Sequence, residues 1–291
     1  MRRLRLANMN EENVISESDM TLLERTLEEV HSEHQEETPV QEEIKEVPTN
    51  SQTLEIDEYT SRFSGATWYN EVQNKSIIIG GCGGISSNTV FQIARMKPAR
   101  LVIYDDDTVD LSNISGQLFS TEDIGKAKVD AISNMVGKYA NYYTANSIKA
   151  KYTRNSNVSN IMICGFDNML ARSDFFFNWR EYVKSLKEED RCNCLFIDGR
   201  LSFDTLQVFT ITGDDDYNIN KYKTKFLFSD READETICSL KQTTYMACMI
   251  ASFITNNLVN FCANIVAGFP INSLPFFIEY NSNTHYLKTE L

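Results

Sequence analysis

The sequence predicts an α/β protein whose sheet is doubly wound, mostly parallel and Rossmann-like, with an antiparallel extension at its C-terminal end. Three observations predict it. From residue 58 onward, short apolar runs of strand length alternate with longer helical segments. A glycine-rich turn, Gly80-Gly81-Cys82-Gly83-Gly84, stands between the first such run and the first helix. The chain then closes on two short strands, 276–280 and 285–288.

The elements follow in order. Residues 76–80 (SIIIG) read as a strand, 87–95 as a helix, and 101–104 (LVIY) as a second strand ending at Asp105. A helix is expected over 121–139, with Thr121 as its N-cap. Ile148 falls in a third strand and 160–164 (NIMIC) in a fourth; a helix over 168–186 leads to a fifth strand at 194–197. Residues 206–211 alternate as a strand, 212–236 are polar without periodicity, and a long helix runs from about 240 to 267. Its apolar run is interrupted by Thr255, Asn256, Asn257, Asn260 and Asn264. That fits a core helix and not a membrane span.

Charge divides the chain into a 1–57 arm and a 58–291 domain. The net charge is −13, and residues 1–57 hold 15 acidic and 5 basic side chains. Their composition predicts a largely disordered acidic arm. Within it Thr21 and Glu24 have capping-box spacing, and Leu22, Leu23, Leu27 and Val30 form an apolar stripe. The arm is a solvated appendage or a docking helix for a partner. Neither part carries the basic footprint of a nucleic-acid binder. Seven cysteines, most of them in apolar runs, argue against a disulfide framework and for a cytoplasmic location.

The glycine turn carries the first chemistry. Gly81 permits the tight turn after the strand, and Gly83 and Gly84 let the backbone approach a phosphate at a helix N-terminus. Ser86 occupies the usual third glycine position, predicting looser packing of helix on strand. Asp105 closes the second strand, 24 residues after Gly81, where a carboxylate accepts hydrogen bonds from ribose hydroxyls. The bland alternative is a strand–helix turn with no ligand. On this pair alone, NAD is as good a ligand as ATP.

The residues that follow resemble the ThiF/MoeB/HesA superfamily, relatives of ubiquitin-activating enzymes. Asp105 to Asn113 (DDDTVDLSN) is similar to its DxDxVxxSN segment, and Gly81-Cys82-Gly83-Gly84 to its GxGG loop. Gly125 and Lys128 resemble its G-x-x-K, Asp167-Asn168 with Arg172 its D-N-x-x-x-R, and Asp198-Gly199-Arg200 its DGR. Arg62-Phe63 resembles its N-terminal arginine motif. The likeness covers about residues 58–265.

The resemblance implies ATP and Mg²⁺ as cofactors. It implies adenylation of a C-terminal carboxylate on a ubiquitin-like protein or peptide, by a homodimer or a heterodimer with a homologue. Lys128 would reach the phosphates, Asp107 would support the ribose or metal region, Asn113 would bind the nucleotide and Asp167 would hold Mg²⁺. Arg62 would reach across the dimer. Cys238, at a loop-to-helix junction, would accept the activated carboxyl group, since a helix N-terminus raises thiolate fraction. Each has a structural alternative: Lys128 a solvated helix residue, Asp167-Asn168 an N-cap, Arg172 a helix pairing residue, Cys238 a semi-buried cap.

Two departures matter. The family's SNxxRQ reads Ser112-Asn113-Ile114-Ser115-Gly116-Gln117, so Gly116 stands where an arginine is usual. Arg200 and Arg154 are candidates to replace that cation. The two CxxC pairs of zinc-binding members are missing, so no zinc is expected; Cys192 and Cys194 form only CxC. Cys164, Cys194, Cys248 and Cys262 are expected in the core. An alternative function is a catalytically weakened nucleotide-binding pseudoenzyme that serves as an assembly partner. Further alternatives are a related activity on a peptide or tRNA base, and an NAD-dependent dehydrogenase.

Overall fold

A computed structural model describes residue 60, residues 62–228 and residues 243–291. The acidic arm, its capping-box segment and Cys238 lie outside the described residues.

Eight strands form one sheet in the order β3-β2-β1-β4-β5-β6-β7-β8. They are β1 (Ser76–Gly80), β2 (Arg100–Tyr104), β3 (Asn146–Ile148), β4 (Ile161–Cys164), β5 (Leu195–Leu201), β6 (Thr205–Thr212), β7 (Phe277–Asn281) and β8 (Tyr286–Glu290). The first five are parallel; β6, β7 and β8 add antiparallel strands beyond β5. The predicted fold class is the observed one. The isoleucine-rich runs give strands because β-branched side chains pack well on a pleated surface covered on both faces.

Alternation sorts the side chains. Ile77, Ile79, Leu101, Ile103, Ile161, Ile163 and Ile197 join one apolar core with Val90 and Ile93 of α2 (Gly84–Ala94) and Val129, Ile132 and Val136 of α3 (Lys128–Ala140). Ile250, Ile254 and Leu258 of the long C-terminal helix, Thr244–Ala267, complete it. Phe196, on the opposite face, meets Trp179 at 5.5 Å and Phe176 at 5.2 Å from α4 (Met169–Ser185). The C-terminal helix is long and apolar enough to cross a membrane by length and composition, yet one face packs into this core.

Three expectations need correction. The helix predicted over 121–139 is two elements: a 3₁₀ turn at Thr121–Asp123, then a bend at Gly125 (φ 85°), then α3 from Lys128. Thr121 is therefore not its N-cap; Ser120 precedes the 3₁₀ turn, and Asp123 Oδ2 accepts from the Ser120 backbone at 2.9 Å. The polar stretch 212–236 contains a helix, Asp216–Lys225, capped by Asp215, whose Oδ1 accepts from Asn218 N at 2.9 Å. Its buried apolar residues are only Ile219 and Tyr222, beside buried Asn218 and Lys223 and with Phe226 just past its end, too sparse a stripe to stand out among lysines and asparagines. Short helices at Tyr69–Gln73 (α1) and Glu188–Arg191 (α5) also went unpredicted. The helix at Asp216–Lys225 is therefore α6, and Thr244–Ala267 is α7.

Candidate functional site

The site lies where the strand order reverses. β1 is flanked by β2 on one side and β4 on the other, and Gly80 pairs with both Tyr104 and Cys164. The chain leaves these three strands at their carboxyl ends, where open α/β sheets bind ligands. That single register brings the glycine turn, Asp105 and the Asp167 turn together. Backbone bonds stitch them: Gly81 N donates to Tyr104 O at 2.8 Å and Gly165 N to Gly80 O at 2.9 Å.

The glycines divide the work. Gly81 has φ 81°, and a Cβ there would lie 3.0 Å from the Gly165 carbonyl oxygen. Gly83 has ordinary dihedrals (φ −77°), and a Cβ would meet nothing within 4 Å. Gly81 thus serves the turn, and Gly83 leaves open space on the loop. Ser86 does not loosen the helix on the strand. It is buried, and the close approach is supplied by Gly165, where a Cβ would sit 2.1 Å from Ser86 Oγ. The third glycine's job has moved to the end of β4.

Asp105 is tied to the loop it serves. Its Oδ2 accepts from Cys82 N at 2.6 Å and its Oδ1 from Asp107 N at 2.8 Å. Burial raises its pKa above the ordinary carboxylate value, more than these bonds and Lys128 lower it. Lys128, the first residue of α3, is not a solvated helix residue. Its side chain is 8% exposed and its Nζ donates to Asp107 Oδ2 at 2.7 Å. Burial pulls its pKa down, but Asp107 and Asp105 together outweigh that and hold it above an ordinary lysine. Asp105, Asp106 and Asp107 carry carboxylate oxygens within 4.8 Å of one another, and Asp167 is not among them.

Asn113 lies in a 3₁₀ segment, Leu111–Ser115, and its Oδ1 accepts from Asp110 N at 2.9 Å. That cap leaves Nδ2 for a ligand. Gly116 ends the segment and is buried. Two bonds dock this segment: Leu118 N donates to Ser87 Oγ of α2 at 3.0 Å, and Thr244 Oγ1 of α7 to Ser115 O at 2.6 Å. At the end of β4, Asn168 alone is the N-cap of α4, accepting from Ala171 N at 2.8 Å. Asp167 is exposed, with Oδ1 3.5 Å from Asn168 Nδ2. Arg62 is exposed on the turn before α1, and the neighbouring Phe63 stacks on Trp68 at 6.0 Å.

A family model described as "ThiF family" matches residues 57–289. The chain belongs to the ThiF family. Among curated relatives, ubiquitin-like modifier-activating enzyme 5 of Culex quinquefasciatus is 29% identical over 93 residues, covering 32% of this chain and 22% of the relative. The same-named protein of Oryza sativa subsp. japonica is 36% identical over 63 residues, 22% of this chain and 15% of the relative. The matched segments thus span about a fifth of those relatives' length. Among solved structures, PaaA has a TM-score of 0.62 at 15% identity, covering 98% of this chain and 87% of PaaA. E. coli MccB has a TM-score of 0.58 at 17% identity, covering 95% and 77%. These likenesses place the fold within the ThiF-family architecture.

Of the two candidates to replace the arginine usual at position 116, Arg200 is fully engaged and Arg154 only in part. Arg200 is buried, with Nε on Asp198 Oδ2 at 2.8 Å and its guanidinium 4.8 Å from the Phe209 ring centre. Arg154 is paired with Glu181 at 2.6 Å. Arg172 has a structural role, but its partner is buried Asp198 of β5 and not a helix neighbour. Of the cysteines expected in the core, Cys164, Cys194 and Cys262 are buried, but Cys248 is exposed on α7, its Sγ 3.3 Å from Asn88 Oδ1. Two contacts had no signal in the sequence. The Cys82–Asp105 bond runs through a backbone amide, and the Gly165–Ser86 fit needs the strand register.

Proposed function

We propose that this chain binds ATP with Mg²⁺ and adenylates the C-terminal carboxylate of a ubiquitin-like protein or a peptide. The supporting observation is the meeting of the glycine loop, Asp105, Lys128 and the Asp167 turn at the carboxyl ends of β1, β2 and β4. The family membership supports the reaction class, and one similar E. coli MccB structure is a complex with ATP.

The chemistry balances as an in-line displacement. A carboxylate oxygen attacks the α-phosphorus, the bond from that phosphorus to the bridging oxygen breaks, and pyrophosphate leaves. Lys128 neutralises charge on the phosphate oxygens and Asp105 holds the ribose. Asp167 would hold Mg²⁺, a hard cation usually bound through one or two carboxylates and substrate phosphates while it keeps several waters. The carboxylate is exposed and is spared the capping duty that Asn168 performs. When bound there, the cation would neutralise charge on the leaving pyrophosphate. The Cys238 thiolate then attacks the acyl carbon, and AMP departs with the bonding electrons. Arg62 serves a second subunit's site.

The test is pyrophosphate–ATP exchange with a Gly-Gly-ended ubiquitin-like protein or a peptide as acceptor. Tight ATP binding without exchange on any carboxylate overturns the reading. One observation favours a second reading, a weakened nucleotide-binding assembly partner: Gly116 lacks the cation, and Arg200 is committed to Asp198 and the Phe226 carbonyl. In that case Lys128→Ala and Asp167→Ala leave partner assembly intact.

A further inference from the structure

Three buried charged side chains stand behind the Asp167 turn and have no part in the proposed reaction. Arg172 belongs to the first turn of α4, and Asp198 and Arg200 to β5. Their side chains are 7%, 0% and 8% exposed. Asp198 Oδ1 pairs with Arg172, and its Oδ2 accepts from Arg200 Nε at 2.8 Å and from the Tyr222 hydroxyl at 2.9 Å. Burial pushes Asp198 up, but the two guanidiniums outweigh it and hold the carboxyl below its ordinary range.

The guanidiniums then reach in different directions. Arg172 donates to the carbonyls of Phe166 and Gly199, the latter at 3.1 Å. Phe166 immediately precedes Asp167. Arg200 donates to the Phe226 carbonyl at the end of α6, at 2.7 Å. One carboxylate therefore links the Asp167 turn, β5 and α6.

Stability alone is a weak reason for such an arrangement. Apolar residues of similar volume often serve as well or better than a buried ion triad. An apolar replacement cannot hold a turn carbonyl in place, whereas a planar guanidinium fork can.

We propose that Asp198, Arg172 and Arg200 are positioning residues that fix the Phe166–Asp167 backbone, so that the Asp167 carboxylate is aimed in advance at a divalent cation. The aim rests on the metal reading of Asp167 above; the mechanical coupling of Arg200 to the turn does not.

Arg200→Lys and Arg200→Met in the full chain separate the two. Amide exchange is followed without nucleotide, alongside thermal unfolding. The lysine variant keeps a buried cation but cannot serve Asp198 and Phe226 together. It is expected to fold with a near-normal Tm and to exchange the amides of residues 165–168 about tenfold faster. Mg²⁺ titration of ATP binding should then show an apparent metal affinity lowered about tenfold, with metal-free ATP affinity unchanged, as outer-shell losses typically give. If both folded variants protect 165–168 as the parent does, or if Arg200→Lys loosens the whole sheet equally, the proposal fails. If the turn loosens but the parent binds ATP without any Mg²⁺ dependence, the coupling stands and the metal reading of Asp167 falls.

Discussion

Replacing Lys128 by methionine separates its two partners, a carboxylate in the free protein and a phosphate in the complex. Methionine keeps the buried aliphatic length and removes the charge. The ion pair to Asp107 spans 2.7 Å, but Asp107 is 64% exposed, so solvent screens it. Such a pair contributes about 1 kcal/mol at most. For a domain of this size that lowers Tm by roughly 2–4 °C. Losing a charged hydrogen bond to phosphate costs about 1.5–3 kcal/mol, a roughly 10- to 150-fold weaker ATP affinity.

The pH dependence has a definite sign. Lys128 has a raised folded pKa. Its contribution to stability is fully present below the unfolded lysine value, about 10.4, and fades as pH climbs through the higher folded value. The Tm gap between parent and variant should therefore be constant near neutrality and close only in strong alkali. Calorimetric titration with ATP and unfolding across pH measure both effects. A variant that shows the Tm loss but binds ATP within threefold of the parent would refute a phosphate role for Lys128.

The remaining expectations contrast neighbouring residues. Gly81→Ala should cost about 1–2 kcal/mol, because an L-residue is forced into left-handed backbone; Gly83→Ala should leave stability within about 0.5 kcal/mol. Both should weaken ATP binding, and unaltered binding in Gly83→Ala would mean that no phosphate approaches the loop there. Asp167→Asn should leave the Tm nearly unchanged, since Asn168 caps α4. The same variant should lose the Mg²⁺-dependent part of ATP affinity; an undiminished Mg²⁺ response would remove Asp167 from the metal site. Cys238→Ser should retain pyrophosphate exchange and lose any thiol-sensitive acyl adduct. Persistence of that adduct would point to another cysteine, with the exposed Cys248 the first to examine.

Most of the parallel strands were readable because they are apolar runs that end at glycine or aspartate, as at Ile77–Ile79 and Ile161–Ile163, whereas β3 offers only Ile148. The site was readable to the extent that its residues sit at strand ends: Asp105 and Asp167 are placed by their strands, and Gly81 by its turn. The parts that needed coordinates are those where two segments distant in sequence decide a residue's role. Lys128 looks like a surface residue until the bend at Gly125 turns it toward Asp107. Arg200 looks available to a ligand until Asp198 and Phe226 are seen to occupy its guanidinium. The helix at Asp216–Lys225 escaped notice because a small buried stripe behind Asp215 barely registers as periodicity.

The closeness of Ser86 Oγ to the space that a Cβ would fill at Gly165 has a consequence for how this chain can diverge. The two positions share one allowance of volume at the crossing of α2 and β4. With the Ser86 hydroxyl in its present rotamer, only hydrogen fits on the other side. The two should therefore drift as a linked pair. Ser86→Gly would release position 165 to accept alanine, while Gly165→Ala alone would force the Ser86 hydroxyl to turn away from the Gly80 carbonyl it meets at 3.4 Å. Divergent relatives should accordingly keep the summed side-chain size at these two sites nearly constant, even where each residue taken singly looks variable.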